Sequence, residues 1–268
     1  MALLPAFLLV AALEDPAEAV RRFRSEYPTA GLDEKILLIH ELGKHRVPPV
    51  LDVLAPLMTD GPVTARIAAA RELGAFDGVP KTWRKLLDAY GHPANAGTPA
   101  RGVKVTILRS LGELHATDAA RFVDSLIGSP DVWIAKAAID AAGKIRRKGS
   151  VDVLVAELRR MGEIDDEEPV ASEQPSATVA PSDVRPPMSM GPADILRSDS
   201  KPTLKKTSVP LESGRTRRRD PEPPAKVPAE RREVLVPAIL AALESIAEKG
   251  FKTPAEWGRW WRANRRGK

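Results

Sequence analysis

KILLIHELG, residues Lys35 to Gly43, is the stretch that decides the fold, because its design returns three times in the chain. RIAAARELG (Arg66 to Gly74), KVTILRSLG (Lys104 to Gly112) and AKAAIDAAG (Ala135 to Gly143) each carry an apolar stripe that closes on a glycine. The steps between these glycines are 31, 38 and 31 residues. A near-constant period with one insertion is the mark of stacked structural units, none of which can bury its apolar face alone. In the first copy Ile36, Ile39 and Leu42 or Leu38 share one helical face, and Lys35, His40 and Glu41 take the other, which predicts a helix buried along one side. Gly43 reads as a helix end in the left-handed conformation, which glycine adopts at almost no cost.

Each unit then continues as a second helix. Val50, Val53, Leu54 and Leu57 follow the first copy, and Leu86, Leu87 and Tyr90 follow the second. Ala119, Phe122, Val123 and Leu126 follow the third, and Val153, Leu154, Leu158 and Met161 the fourth. Ala68 to Ala70 are small enough to let a neighbouring helix approach closely. Asp15 with Pro16 predicts a helix start ahead of the first copy, running to about Tyr27, and Ser129 with Pro130 predicts another at the fourth. The segment GHPANAGTPARG, Gly91 to Gly102, carries the seven extra residues and reads as a loop. Insertions of this kind collect on one rim and serve binding, so His92 and Asn95 are candidate partner-binding residues.

Composition narrows the field further. The chain has 268 residues, 43% of them hydrophobic, only 4% aromatic, and its apolar positions are mostly Ala, Leu, Ile and Val at helical spacing. That excludes a β-rich fold and predicts an all-α protein. With no cysteine there is no disulfide, thiolate metal site or cysteine nucleophile. The four histidines do not converge on a metal pattern, and no phosphate-cradling glycine loop, nucleophile elbow or HExxH motif is present. No cofactor, metal or catalytic residue is therefore expected, and the chain does not read as an enzyme. The 41 basic and 36 acidic residues leave a net charge of +5, which permits contact with nucleic acid without requiring it. No apolar run reaches the roughly 18 residues of a membrane-spanning helix.

Residues 1–13, MALLPAFLLVAAL, form a short apolar run with small residues at Val10, Ala11 and Ala12 and no Lys or Arg ahead of it. They read as an export signal, which would make the protein secreted or periplasmic. The other reading is the apolar face of a first helix, which leaves a cytoplasmic location open. Residues 14–162 form the repeat domain. From 163 to 231 the pattern is lost in acidic, Pro/Ser-rich and then basic Pro-rich sequence, which predicts a disordered linker. Arg217, Arg218 and Arg219 within it are candidates for docking acidic protein or phosphate. Residues 232–268 regain helical periodicity as a C-terminal pair, with an amphipathic helix expected to stop at Gly250. Thr253, Pro254 and Glu256 predict a capped helix start, and Trp257, Trp260 and Trp261 fall on one face of that helix. Those three tryptophans either fill a core or present a binding surface.

GPVTARIAAARELG and SPDVWIAKAAIDAAGKI resemble the short-repeat, PBS-lyase-like branch of the HEAT-repeat family over about Leu32 to Met161. KGFKTPAEWGRWW is similar to a terminal block of some bacterial HEAT-like proteins. Arg66 matches the family's arginine position, whereas Lys35, Lys104 and Ala135 replace it in the other copies. The resemblance implies an armadillo-like α-solenoid of about four to five helix–turn–helix repeats that binds a protein partner along its surface. A nucleic-acid-binding HEAT-like protein is the alternative, with basic helix faces and the basic tail as the contact. Some short HEAT-like repeats serve bilin lyases, but no residue here argues for a pigment site.

Overall fold

A computed structural model of the chain describes residues 15–164 and 227–265. Among them every regular element is helical: α1 (Pro16–Glu26), α2 (Leu32–Gly43), α3 (Pro48–Leu57), α4 (Val63–Leu73), α5 (Thr82–Gly91), α6 (Arg101–Glu113), α7 (Ala120–Leu126), α8 (Val132–Ile145), α9 (Ser150–Arg160), α10 (Ala229–Ala247) and α11 (Pro254–Arg265). Single 3₁₀ turns at Pro93–Asn95, Thr98–Ala100 and Thr117–Ala119 join some of them. The caps explain several starts. Asp15 accepts the Ala17 N–H and Pro16 needs no intrahelical donor, so α1 begins where the sequence predicts. For α8 the cap is Asp131, which accepts the Trp133 and Ile134 N–H groups. Ser129, the expected cap, lies three residues before the helix and instead accepts the Asp131 N–H through its hydroxyl.

The helices fall into two rows by their contacts. In the first, here called row A, α2 packs on α4, α4 on α6, α6 on α8, and α8 on α10. In row B, α1 packs on α3, α3 on α5, α7 on α9, and α9 on α11, while α5 meets the 3₁₀ turn that leads into α7. The core runs between the rows as one cluster, with Ile39, Leu54, Leu73, Leu86, Leu108, Val123, Ile139, Leu154 and Ile239 all fully buried. Burying a side chain of this size is worth about 1.5–3 kcal/mol relative to leaving it in water. α8 is the most enclosed element: Ala135, Ala137, Ala138, Ala141 and Ala142 are all buried on it.

The four glycines of the repeat do not act as left-handed turns. Gly74 has φ −63° and ψ −19°, and Gly43, Gly112 and Gly143 lie inside their helices. After α6 and α8 the left-handed positions fall on His115 and Arg146, each three residues beyond the glycine. The glycines are instead contact points along row A. A Cβ on Gly43 would sit 2.6–2.9 Å from the Glu72 side chain, one on Gly74 2.8–3.0 Å from Ser110, and one on Gly112 3.0 Å from the Ala141 backbone. Hydrogen supports a close approach that a methyl group would block.

The same register carries across residues 165–226, which lie outside the described residues. A Cβ on Gly143 would sit 3.1 Å from the backbone of Ala242, so α10 meets α8 as α8 meets α6. Glu72, Ser110 and Ala141 each stand two residues before the next glycine, but two residues after Ala242 stands Glu244. Row A therefore lacks its contact glycine on its last described helix. Side chains reinforce the seam, Ser110 Oγ donating to the Ala70 carbonyl at 2.7 Å and Ser245 Oγ to the Gly143 carbonyl at 2.9 Å.

The helical packing reaches further than the sequence suggests at both edges of the expected linker. Ile164 is buried, and α10 begins at Ala229 rather than near 232. Arg231, placed in the linker by pattern alone, is 7% exposed, with Nη2 3.3 Å from Glu157 and Nη1 donating to the Pro130 carbonyl. α10 ends at Ala247, three residues before Gly250, because Glu248 takes the left-handed cap. No described helix is long and apolar enough to cross a membrane.

Candidate functional site

The tryptophan face is built by the cap of α11. Thr253 Oγ1 accepts the Glu256 N–H, and the Glu256 carboxylate accepts the N–H groups of Thr253 at 3.1 Å and Lys252 at 2.9 Å. Those backbone donors, Thr253 first, hold the Glu256 carboxyl below the usual glutamate range. The cap sets the helix rotation and so sends Trp257 into the core, where it is fully buried and its indole N–H donates to the Phe251 carbonyl at 3.1 Å. Phe251 and Trp260 meet it edge to face at 5.0 and 5.5 Å. Trp261 is 8% exposed, donates to Asp152 Oδ1 at 2.8 Å and lies under the Arg159 guanidinium at 4.4 Å. Gly258 lets α11 close on Ile164, which a Cβ would meet at 2.7 Å.

Two of the three candidate tryptophans are thus core and intra-chain contacts, which corrects the binding-surface reading for Trp257 and Trp261. Trp260 is half-buried and borders a groove of about 540 Å³, shared with Lys148, Val151, Asp152, Ile246 and Asn264. Its lining mixes apolar side chains with one lysine, the carboxylates of Asp152 and Glu248, and one amide.

The loop after α5 also differs from its sequence reading. Asn95 is fully buried: its amide donates to the carbonyls of Met58 at 2.9 Å and Ala89 at 2.8 Å, and its oxygen accepts from Arg66 Nη1 at 3.0 Å. It anchors the loop to α3 and α5 and is not open to a partner. Arg66, the arginine that opens the second copy, is thus engaged by an asparagine and by the Ala94 carbonyl. His92 is exposed, and its Nδ1 accepts the Ala94 N–H. Below the loop, Tyr90 packs edge to face on Phe122 with Lys104 over its ring, and burial, aided by Asp131, raises its phenol pKa. Arg217, Arg218 and Arg219 lie outside the described residues.

No protein-family model matches this chain, and no curated protein matches it.

Three large apolar residues stand exposed in row A: Leu32 (44%), Leu37 (62%) and Trp133 (57%). Reading the sequence in turn misses them, because each sits in an otherwise ordinary amphipathic stripe. Aligning the copies on their glycines exposes two. Six residues before the glycine stand Leu37, Ala68, Thr106 and Ala137, and ten before stand Asp33, Thr64, Gly102 and Trp133. In each set one bulky apolar residue replaces small or polar ones. Elsewhere on row A charges are engaged across or within helices: His40 Nδ1 lies 3.0 Å from Glu72, Lys144 pairs with Glu113, and Lys136 pairs with Asp140 at 2.9 Å. Among the described residues no group of three or more His, Asp or Glu side chains is arranged to hold a metal ion.

Proposed function

We propose that the chain is a noncatalytic scaffold of HEAT-like repeats, an α-solenoid that binds a protein partner through row A. The observation that carries this reading is Trp133, 57% exposed on a helix whose other large apolar side chains are buried or partly buried. Tryptophan is enriched among the few residues that dominate binding energy at protein interfaces. The glycine register supports the solenoid part of the reading, since it repeats one close helix contact from unit to unit and so would build a continuous surface from short units. The charges around Trp133 support a protein rather than a polyanion: Arg101 is paired with Asp131 at 2.7 Å and Lys136 with Asp140.

A photoreactive phenylalanine analogue placed at Trp133 tests this in the native host. The expected result is one protein adduct of defined mass, with none from the same group at Ala156, which is exposed on row B. An adduct removed by nuclease would transfer the function to nucleic acid, and binding that fell steeply between about 50 and 200 mM salt would support that transfer. No adduct at 133 would end the proposal.

A further inference from the structure

Every row B helix from α3 onward follows a row A helix in the chain, but α1 has none before it among the described residues. Among the described residues no row A helix therefore stands beside α2 on that side. The register says which face of α2 turns toward it. Glu72, Ser110, Ala141 and Ala242, which meet the glycine of the preceding helix, correspond to Glu41 on α2, and one turn earlier on the same face stands Leu37. Ala137, at the equivalent step of α8, is covered by its neighbour to 2% exposure, whereas Leu37 is 62% exposed. Beside it lies a groove of about 510 Å³ formed by Glu26, Thr29, Ala30, Glu34, Leu37 and Leu38.

We propose that this groove is the docking site of the chain's own residues 1–13, MALLPAFLLVAAL, which take the row A place beside α2. The segment ends three residues before Pro16, so it is tethered where a row A helix hands over to its row B partner. The spacing fits. Gly43 lies five residues before Pro48, which opens α3, and Ala11 lies five residues before Pro16, which opens α1. That alignment puts a small residue at the contact position and sets Phe7 and Leu8 opposite Leu37. Thirteen residues reach about 20 Å as a helix, enough to run beside the twelve residues of α2. The segment has no charged side chain before Glu14, so its apolar side chains would meet Leu37 and Leu38, and of the groove's carboxylates, Glu26 and Glu34, neither would face a like charge. The proposal is independent of the Trp133 surface, and it opposes the export-signal reading of the same residues.

The chain has no cysteine, so paired cysteines report this contact without background. Leu8→Cys with Leu37→Cys in the full chain, treated with a short bismaleimide at high dilution, should give an intramolecular cross-link. Leu8→Cys with Trp133→Cys should give none. Absence of the first link, equal yield in both pairs, or a link between two chains would overturn the proposal, the last pointing to a second copy as the occupant. A stability comparison keeps the question open to disproof if a cysteine pair perturbs folding. Leu37→Glu should lower the melting temperature of the full chain by about 2–4 °C or more and leave a chain lacking residues 1–13 unchanged. Equal shifts in both backgrounds would overturn it, as would a mature chain in the native host that starts beyond residue 13.

Discussion

Row A and the tryptophan end of row B solve the same problem by opposite means. Along row A, α4, α6, α8 and α10 approach until Gly43, Gly74, Gly112 and Gly143 touch the side chain or backbone of the next helix. Between α9 and α11 the contact runs through large side chains, Trp261 reaching Asp152 and Arg159 of α9 and Trp257 lying fully buried against Phe251. A seam of small residues gains its energy from many close backbone and Cβ contacts, and nothing in it can grow. A seam of large residues gains it from a few side chains, and nothing in it can shrink. The two seams should therefore fail in opposite directions.

The largest expected effect is at the aromatic seam. Trp257→Ala should cost about 3–5 kcal/mol in urea unfolding, because the cavity it leaves is enclosed. Trp260→Ala, from a half-buried position, should cost clearly less, and equal losses would mean the two rings share one role. At the small-residue seam Gly112→Val should cost about 1–3 kcal/mol by overpacking against the Ala141 backbone. Gly91→Ala, whose Cβ meets nothing within 4 Å, should be neutral or slightly stabilising in the same assay. A harmless Gly112→Val would remove the close-contact account of the register.

Asn95→Ala lies between the seams and sharpens the contrast, since it removes a polar anchor rather than volume. Leaving the Met58 and Ala89 carbonyls buried without a donor should cost about 1–3 kcal/mol in thermal or urea unfolding. Cross-linking from Trp133 should be unaffected, and a loss of partner contact without a loss of stability would return Asn95 to the binding surface. The smallest effect is electrostatic. The folded-state pKa of Glu256 is depressed by its backbone donors, so the contribution of its charge to the α11 cap is complete above the unfolded glutamate value. It is lost as pH falls from that value through the depressed one. Helicity of Pro254–Arg265, followed by NMR in an acid titration, should decline in that window, and Glu256→Gln should abolish this part of the pH dependence.

The helices themselves were legible because their causes are local. The Asp15 cap, the Thr253–Glu256 box, and the apolar spacing of Ile39, Leu42, Leu73, Leu108 and Leu111 all lie within one or two turns of sequence. The site was much less legible. Asn95 looked like a loop amide, yet its partners Met58 and Arg66 lie 37 and 29 residues away. Trp257 and Trp261 shared a face, as their spacing required, but only Asp152, 109 residues before Trp261, shows that the face is turned inward.

By itself the sequence determined the helical class, the period of the units, the starts of α1 and α11, and the single bulky residues that break the small-residue pattern. Each follows from backbone hydrogen bonding and side-chain spacing within a helix. Only the tertiary structure decided what the glycines are for, that α10 follows α8 across residues 165–226, and that Arg231 belongs to the core beside Glu157. Those outcomes depend on contacts up to about a hundred residues apart. A glycine that permits a turn and a glycine that admits a neighbour are identical until the neighbour is in place.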